Sequence, residues 1–163
     1  MSLQSNFKFW VFFLVALLLL VTGILAFVTA KLLERPNLPH FGVFAFLALF
    51  IFVWIWLVFG ELRTKVVKVN IEGERVIISN YIGLGTKRVY NFSQFEGLET
   101  ALLPSKYDTY EYLYLIENGK KVVKLSQFYH SNYDGLKNAL TVKVRNLGQK
   151  KFSYIQEIKE IFI

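Results

Sequence analysis

The chain has 163 residues, no cysteine, a net charge of +7 and 54% hydrophobic residues, with a mean hydropathy of +0.38. That leaves room for one modest soluble domain beside a membrane segment, while the missing cysteines exclude disulfide staples, thiolate metal sites and cysteine nucleophiles. Residues 61–163 carry 16 basic and 11 acidic side chains, dispersed rather than gathered into the dense stripe of a nucleic-acid binder, so no nucleic-acid partner is expected.

The apolar excess is local. Between Phe9 and Gly60 the only ionisable side chains are Lys31, Glu34, Arg35 and His40. The uncharged stretches 9–30 and 41–60 would reach about 33 Å and about 30 Å as helices, which matches the hydrocarbon thickness of a bilayer. The spacing of Phe44, Phe46, Phe50, Phe52, Trp54 and Trp56 also suits a strand, but a lone strand in lipid leaves its backbone unpaired, so two helices are predicted. A signal peptide would have a shorter apolar run, about 7–15 residues, and a more basic start than Lys8 alone supplies. Pro36 and Pro39 break the chain between the helices and turn it back as a transmembrane hairpin. Lys8, Arg63, Lys65 and Lys68 at the outer flanks outnumber Lys31 and Arg35 in the loop, which places both termini and the following domain in the cytoplasm, below an inner membrane. Trp10, Trp54 and Trp56 are expected to form one interfacial belt on the domain side. The small residues Thr22, Ala26 and Ala30, with Gly42, Ala45 and Ala48, are expected to let the helices approach near the loop. No charge lies within either span, so a pore or proton relay is not expected.

After Gly60 the period changes to two. Strands are predicted over 64–71, 75–81, 86–92, 95–103, 109–117 and 120–127, with turns at Glu72-Gly73-Glu74, Gly83-Leu84-Gly85, Pro104-Ser105 and Asn118-Gly119. Short turns between six strands imply an antiparallel meander. The two-residue Asn-Gly turn pairs Glu117 with Lys120, and an unbroken ladder then sets Tyr114 opposite Val123 and Tyr112 opposite Leu125. Tyr110, Tyr112, Tyr114 and Ile116 would thus face the core. Ser131 and Asp134 open a helix whose apolar face is Leu136, Ala139, Leu140 and Val144, with Gly148 as a stop. In the tail 150–163, Phe152, Ile155, Ile158 and Phe162 sit at helical spacing, and a final strand also fits. The tail has three candidate places: the domain, the membrane surface or a partner.

This order of elements resembles the bacterial pleckstrin-homology-like (PH-like) membrane proteins. The strand pair 65–71 and 75–81, the glycine turn Gly83 to Gly85, the segment Asn91-Phe92-Ser93-Gln94-Phe95-Glu96-Gly97-Leu98 and the helix after Ser131 carry the resemblance. It implies a bent sheet or open barrel capped by the helix, built from seven strands where six are counted, and an interaction module rather than a reaction. Phosphoinositide-binding relatives place lysines and arginines in the first hairpin turn. Here that turn is Glu72-Gly73-Glu74, which repels phosphate.

No residue set points to chemistry. His40 and His130 are too isolated for a metal site, and His130 near Asp134 has no nucleophile beside it. Gly83-Leu84-Gly85-Thr86-Lys87 lacks the spacing of a phosphate loop and suits a hairpin turn. Asn91-Phe92-Ser93 matches a glycosylation acceptor, which has no meaning for a cytoplasmic domain. No catalytic residue, cofactor or metal is therefore expected. The expectation is an α+β membrane protein: a transmembrane α-helical hairpin over 1–62, an antiparallel PH-like β domain over 63–148 capped by a C-terminal helix, and an amphipathic segment over 149–163. It would act as a membrane-tethered, non-enzymatic interaction module, an accessory subunit of another membrane protein. The alternative is a sensor of anionic lipid headgroups. Trp10, Trp54, Trp56, Arg63, Lys65, Lys68, Lys150 and Lys151 are the expected contacts to membrane surface or partner.

Overall fold

A computed structural model describes residues 2–34, 40–104 and 108–160. Arg35, Pro36 and Pro39 of the connecting loop, Ser105 of the predicted turn and Phe162 of the tail lie outside the described residues. The protein is an α+β fold with two apolar N-terminal helices and two sheets, neither closed into a barrel.

The first sheet runs β1 (Ser2–Gln4), β2 (Lys68–Glu72), β3 (Arg75–Ser79) and β4 (Lys87–Asn91), antiparallel throughout. Alternation puts Val69, Ile71, Val76 and Ile78 on its buried face. The strand β1 has no counterpart in the sequence expectation. It pairs Leu3 with Ile71 and sets the helical hairpin between two neighbouring strands of one sheet. The segment that follows is bound to the domain at nearly every residue. Ser5 donates its amide to Val69 O at 2.8 Å and accepts the Val69 amide on its hydroxyl at 2.9 Å. Asn6 O takes the Ser131 amide at 2.8 Å, and the Lys8 amide reaches Tyr129 O at 2.8 Å.

The second sheet has the order β7 (Lys120–Ser126), β6 (Thr109–Glu117), β5 (Gly97–Pro104), β8 (Asn146–Lys150). The strand β8 runs parallel to β5, so the meander is not purely antiparallel. Gly97 permits that pairing, since a Cβ there would lie 2.3 Å from Leu147 Cγ and 2.8 Å from Arg145 O. Asn118 and Gly119 adopt positive φ of 51° and 69°, as their hairpin turn requires. The expected register, however, holds for only two pairs. A bulge follows Ile116↔Lys121, and the ladder resumes as Leu115↔Val123, Tyr114↔Lys124 and Leu113↔Leu125. One inserted residue exchanges the faces. Leu113, Leu115, Val123 and Leu125 therefore enter the main core, and Tyr112, Tyr114 and Ile116 turn to the opposite face, under Phe152.

The core lies between the sheets and is closed by α3 (Tyr133–Lys143) through Leu136 and Leu140. The long helices are α1 (Phe9–Leu33) and α2 (Phe41–Ile55), the latter continued by a π-helical stretch Trp56–Leu62. Both are long and apolar enough to cross a membrane. Beyond the domain they touch mainly each other. Of the small residues, Thr22 joins the helix contact by accepting the Trp54 indole N–H, whereas Ala26, Ala30, Gly42, Ala45 and Ala48 are exposed, and Gly42 has open space where a Cβ would sit. Medium and large side chains supply the rest, with Val21 buried. A last short helix, α4 (Tyr154–Glu160), follows β8.

Ser5→Ala leaves the buried Val69 amide without its hydroxyl acceptor and should cost about 1–3 kcal/mol. Equilibrium unfolding of the full chain in detergent measures this, and unchanged stability would show that the N-terminal segment is not part of the folded domain.

Candidate functional site

The helices meet the domain at a polar junction that begins with a change of helical pitch. Near the end of α2, Arg63 N–H reaches back five residues to Val58 O at 3.0 Å, and Val66 N–H to Glu61 O at 3.3 Å. This wider turn lets Leu57 and Leu62 face inward while Glu61 points at the domain. Val11 of α1 is fully buried with Leu62, Val66 and Tyr129. Tyr81 and Ile82 pack on the same cluster from the β3–β4 connection, both with positive φ, at 53° and 62°. For a β-branched residue such as Ile82 that conformation is strained, and its packing against the helix feet holds it there.

A four-membered charge network sits in this junction. Lys65 Nζ lies 2.7 Å from Glu61 Oε1 and 3.0 Å from Glu157 Oε1 of α4, and Lys124 Nζ of β7 lies 3.3 Å from that same Glu157 oxygen. Both lysines are buried. Tyr129 donates its hydroxyl to Glu61 Oε2 at 2.6 Å. Among the described residues, two lysines therefore face two carboxylates, and three separate parts of the chain are tied together. Burial disfavours the Lys65 ammonium, but Glu61 above all, with Glu157, overrides it and holds its pKa above the ordinary lysine value. Burial and the neighbouring Glu61 raise the Tyr129 phenol, which keeps its proton for the hydrogen bond. Burial would raise the Glu157 carboxyl, yet Lys124 and Lys65 more than offset this and hold it below its usual value. Lys124 Nζ also lies 4.4 Å from the centre of the Tyr112 ring, which explains how a lysine can occupy the tyrosine face of the sheet.

Beside the network opens a cleft of about 780 Å³ between β7 and the β3–β4 connection, at the foot of α2. Its described lining carries Arg63, Arg88, Lys120, Lys121, Lys124 and Lys159, and no carboxylate. Arg88 is held by Asn80 Oδ1 at 3.1 Å. A second cavity of about 370 Å³ lies on the other side of α4, where Lys150, Lys151 and Glu157 contribute to its wall.

The expected contact residues are divided among these places. Arg63 lines the cleft, Lys65 belongs to the buried network, and Lys150 and Lys151 line the second cavity. Lys68 lies half-buried in β2. Trp10 is exposed at the start of α1, but Trp54 is not level with it. Its indole N–H donates to Thr22 Oγ1 at 3.0 Å, about 18 Å farther along α1, so the three tryptophans form no single belt. Trp56 stacks loosely with Phe52. The network partners Glu61, Tyr129, Lys124 and Glu157 were not singled out by the sequence. Only the Glu61–Lys65 pair had a signal, its four-residue spacing at a helix end. His130 is fully buried as a brace, its ring nitrogens 2.9 Å from Ser126 O and from Val67 O. Burial lowers its pKa, against those two hydrogen bonds. Among the described residues, no group of three or more His, Asp or Glu gathers as a metal site.

Removing one buried carboxylate should be costly. Glu61→Ala is expected to destabilise the full chain by about 3–5 kcal/mol, whereas the double variant E61L/K65M should recover most of that loss. Denaturant titration of both in detergent tests the balance, and a double variant no better than E61A would count against it. The Glu157 contribution has a definite pH sign. Because its folded-state pKa is depressed, the stabilisation is complete above the usual carboxylate pKa of about 4.3 and fades as pH falls through the lower folded value. Protection of α4 amides from exchange should accordingly persist through mild acid, and its loss near neutrality would contradict the pairing.

Compared with known proteins, the chain matches no family model, no curated protein and no solved structure.

Proposed function

We propose that the protein is a membrane-tethered, non-enzymatic interaction module whose basic cleft receives the anionic headgroups of the bilayer that holds it. The cleft at the foot of α2 is the observation that carries this reading. Arg63 and Thr64 follow Leu62 directly and both line it, so a hairpin spanning the bilayer sets the cleft at headgroup depth. Each basic residue held there adds about 1 kcal/mol of attraction to an anionic surface. The acidic turn Glu72-Gly73-Glu74 does not oppose this. It lies at the other end of β2, about 13 Å from Lys68, and Glu74 is paired with Lys143.

The domain is read as PH-like on its strand arrangement. With β1 counted, four strands form one sheet, β5 to β7 lie in the other with β8 added in parallel beside β5, and α3 follows β7 as the capping helix. The seventh strand that the resemblance requires is then supplied by the chain's first residues, and the hairpin is an insertion between strands one and two. The orientation follows from charge. The domain and both chain ends lie on the cytoplasmic side, where Lys8, Arg63 and Lys68 flank the spans. An accessory subunit contacting an acidic membrane partner through the same cleft is the rival reading.

Native mass spectrometry of the full chain in neutral detergent, titrated with phosphatidylglycerol or phosphatidylcholine, tests the proposal. Phosphatidylglycerol should bind about tenfold tighter or better, less so at high salt, and the preference should disappear in R88E/K120E. Equal binding of the two lipids, or a preference untouched by the charge reversals, overturns the lipid reading. An acidic membrane protein that co-purifies stoichiometrically and is lost with R88E/K120E would establish the rival.

A further inference from the structure

The β3–β4 connection leaves the first sheet at its hairpin end. Ser79 closes β3 opposite Lys68, so the chain beyond it continues toward the helix feet. Ile82 donates its amide to Val66 O at 3.0 Å, and Tyr81 and Ile82 pack on the cluster that buries Val11 and Leu62. Around Val11 the neighbouring side chains of α1 face outward: Phe9, Trp10, Phe12 and Phe13 are all exposed. Four large aromatic rings within about 6 Å of helix suit an apolar or interfacial surrounding at that height. The connection is braced against the foot of a span that needs such a surrounding. Two residues beyond Ile82, Leu84 is 90% exposed.

The backbone holds that leucine out. Tyr81 and Ile82, both with positive φ, reverse the chain just before it. Asn80 O accepts the amides of Gly83 and Gly85, each at 3.0 Å, and the Ser79 hydroxyl donates to Gly85 O at 2.6 Å. The Lys68 stem lies so near Gly83 that a Cβ there would sit 2.6 Å from Lys68 Cδ. Lys87 and Arg88, both exposed, follow at the start of β4. An apolar tip above a cationic collar is the division that a membrane interface favours, with the tip in the acyl boundary and the charges among headgroups.

We propose that the turn from Tyr81 to Gly85 is a wedge that seats Leu84 in the interfacial layer of the bilayer crossed by α1 and α2. The inference rests on the membrane-spanning reading above and adds an apolar contact separate from anion binding in the cleft. The bilayer is the occupant because the spans themselves bring it to the height at which the turn is braced. Two helices set in lipid can still tilt together, and a third contact off their line fixes the tilt.

The chain has no cysteine, so a nitroxide can be placed at one site at a time in the full protein: L84C, L20C or V142C. Leu20 in the middle of α1 and Val142 on α3 are 61% and 86% exposed, and Val142 adjoins Lys143, which pairs with Glu74 at the far end of the first sheet. In phosphatidylcholine nanodiscs, electron paramagnetic resonance then measures collisions with oxygen, which enters lipid, and with a water-soluble nickel chelate. L20C should meet oxygen and exclude nickel, and V142C should meet nickel freely. L84C should meet nickel several-fold less often than V142C while keeping its oxygen collisions. An L84C label as open to nickel as V142C, with L20C in lipid, overturns the wedge and leaves the spanning reading intact. Nickel at L20C overturns both. A label at L84C shielded from oxygen as well as nickel lies against protein and overturns the bilayer as occupant. Protection of L84C that appears only when phosphatidylglycerol is added belongs to the cationic collar and overturns the apolar contact.

Discussion

The pairing of Lys65 with Glu61 and Glu157, extended to Lys124, is the interaction around which the molecule is arranged. Taking four charges out of water is expensive, and mutual attraction repays the cost only when each lysine has a carboxylate close by. That condition fixes geometry in three places at once. The end of α2 must widen so that Glu61 and Lys65 both turn toward the domain. The face of β7 that presents Lys124 must point at the helix junction, which the register bulge achieves. The tail must return across the sheet to deliver Glu157. An apolar cluster of the same size would tolerate sliding of the helices over the domain. A charge network of paired lysines and carboxylates does not.

The N-terminal segment adds a second constraint of a different kind. Because β1 pairs with β2 and the chain then runs through Asn6 and Lys8 to Tyr129 and Ser131, α1 leaves the domain from a fixed point. The other helix returns into β2 only a few residues after Leu62. Both feet of the hairpin are thus set by adjacent strands of one sheet, and neither has a linker long enough to pivot. Backbone hydrogen bonds and the buried Val11 carry this constraint, so it is insensitive to salt and pH. The charge network beside it is sensitive to both.

Much of the secondary structure was legible from periodicity. The ranges of β2 to β7 fall within or beside the alternating stretches, α3 begins just after Ser131, and the Asn-Gly turn has the expected backbone. What escaped has specific causes. Three residues, Ser2 to Gln4, are too few to show a period, so β1 is invisible in the sequence, and with β8 also missed six strands are expected where eight form. The bulge was hidden because Val122 and Val123 are the same residue type, and inserting either leaves the apolar pattern unchanged. A polar residue at one of them would have betrayed the slip. The tyrosines misled for a related reason: their rings suit a core, yet on the opposite face they stack with Phe152 and the ammonium of Lys124. Residue type alone places Trp54 at an interface, whereas its hydrogen bond to Thr22 depends on a helix pairing that no local pattern encodes. The candidate site was the least legible part, because its members come from positions 61, 65, 124, 129 and 157, and only the first two are neighbours on one element.

The polarity of the domain follows from where these features lie along β2. At its Lys68 end are the helix feet, the strained Tyr81-Ile82 turn and the cationic cleft; at its Glu72 end are the acidic turn and the α3-side core. Attraction for an anionic surface is therefore concentrated on the side from which the hairpin emerges, and repulsion is placed on the far side. Such an asymmetry does not require a large net charge, which is why a dispersed +7 does not reveal it. It also bears on the choice between lipid and protein as occupant of the cleft. A soluble protein partner can approach a domain from any direction and would set no rule for which end of β2 carries the cations, whereas a membrane partner would meet the same side as the bilayer. A bilayer crossed by the two helices would lie on one side only, the side on which Arg63 and Arg88 line the cleft.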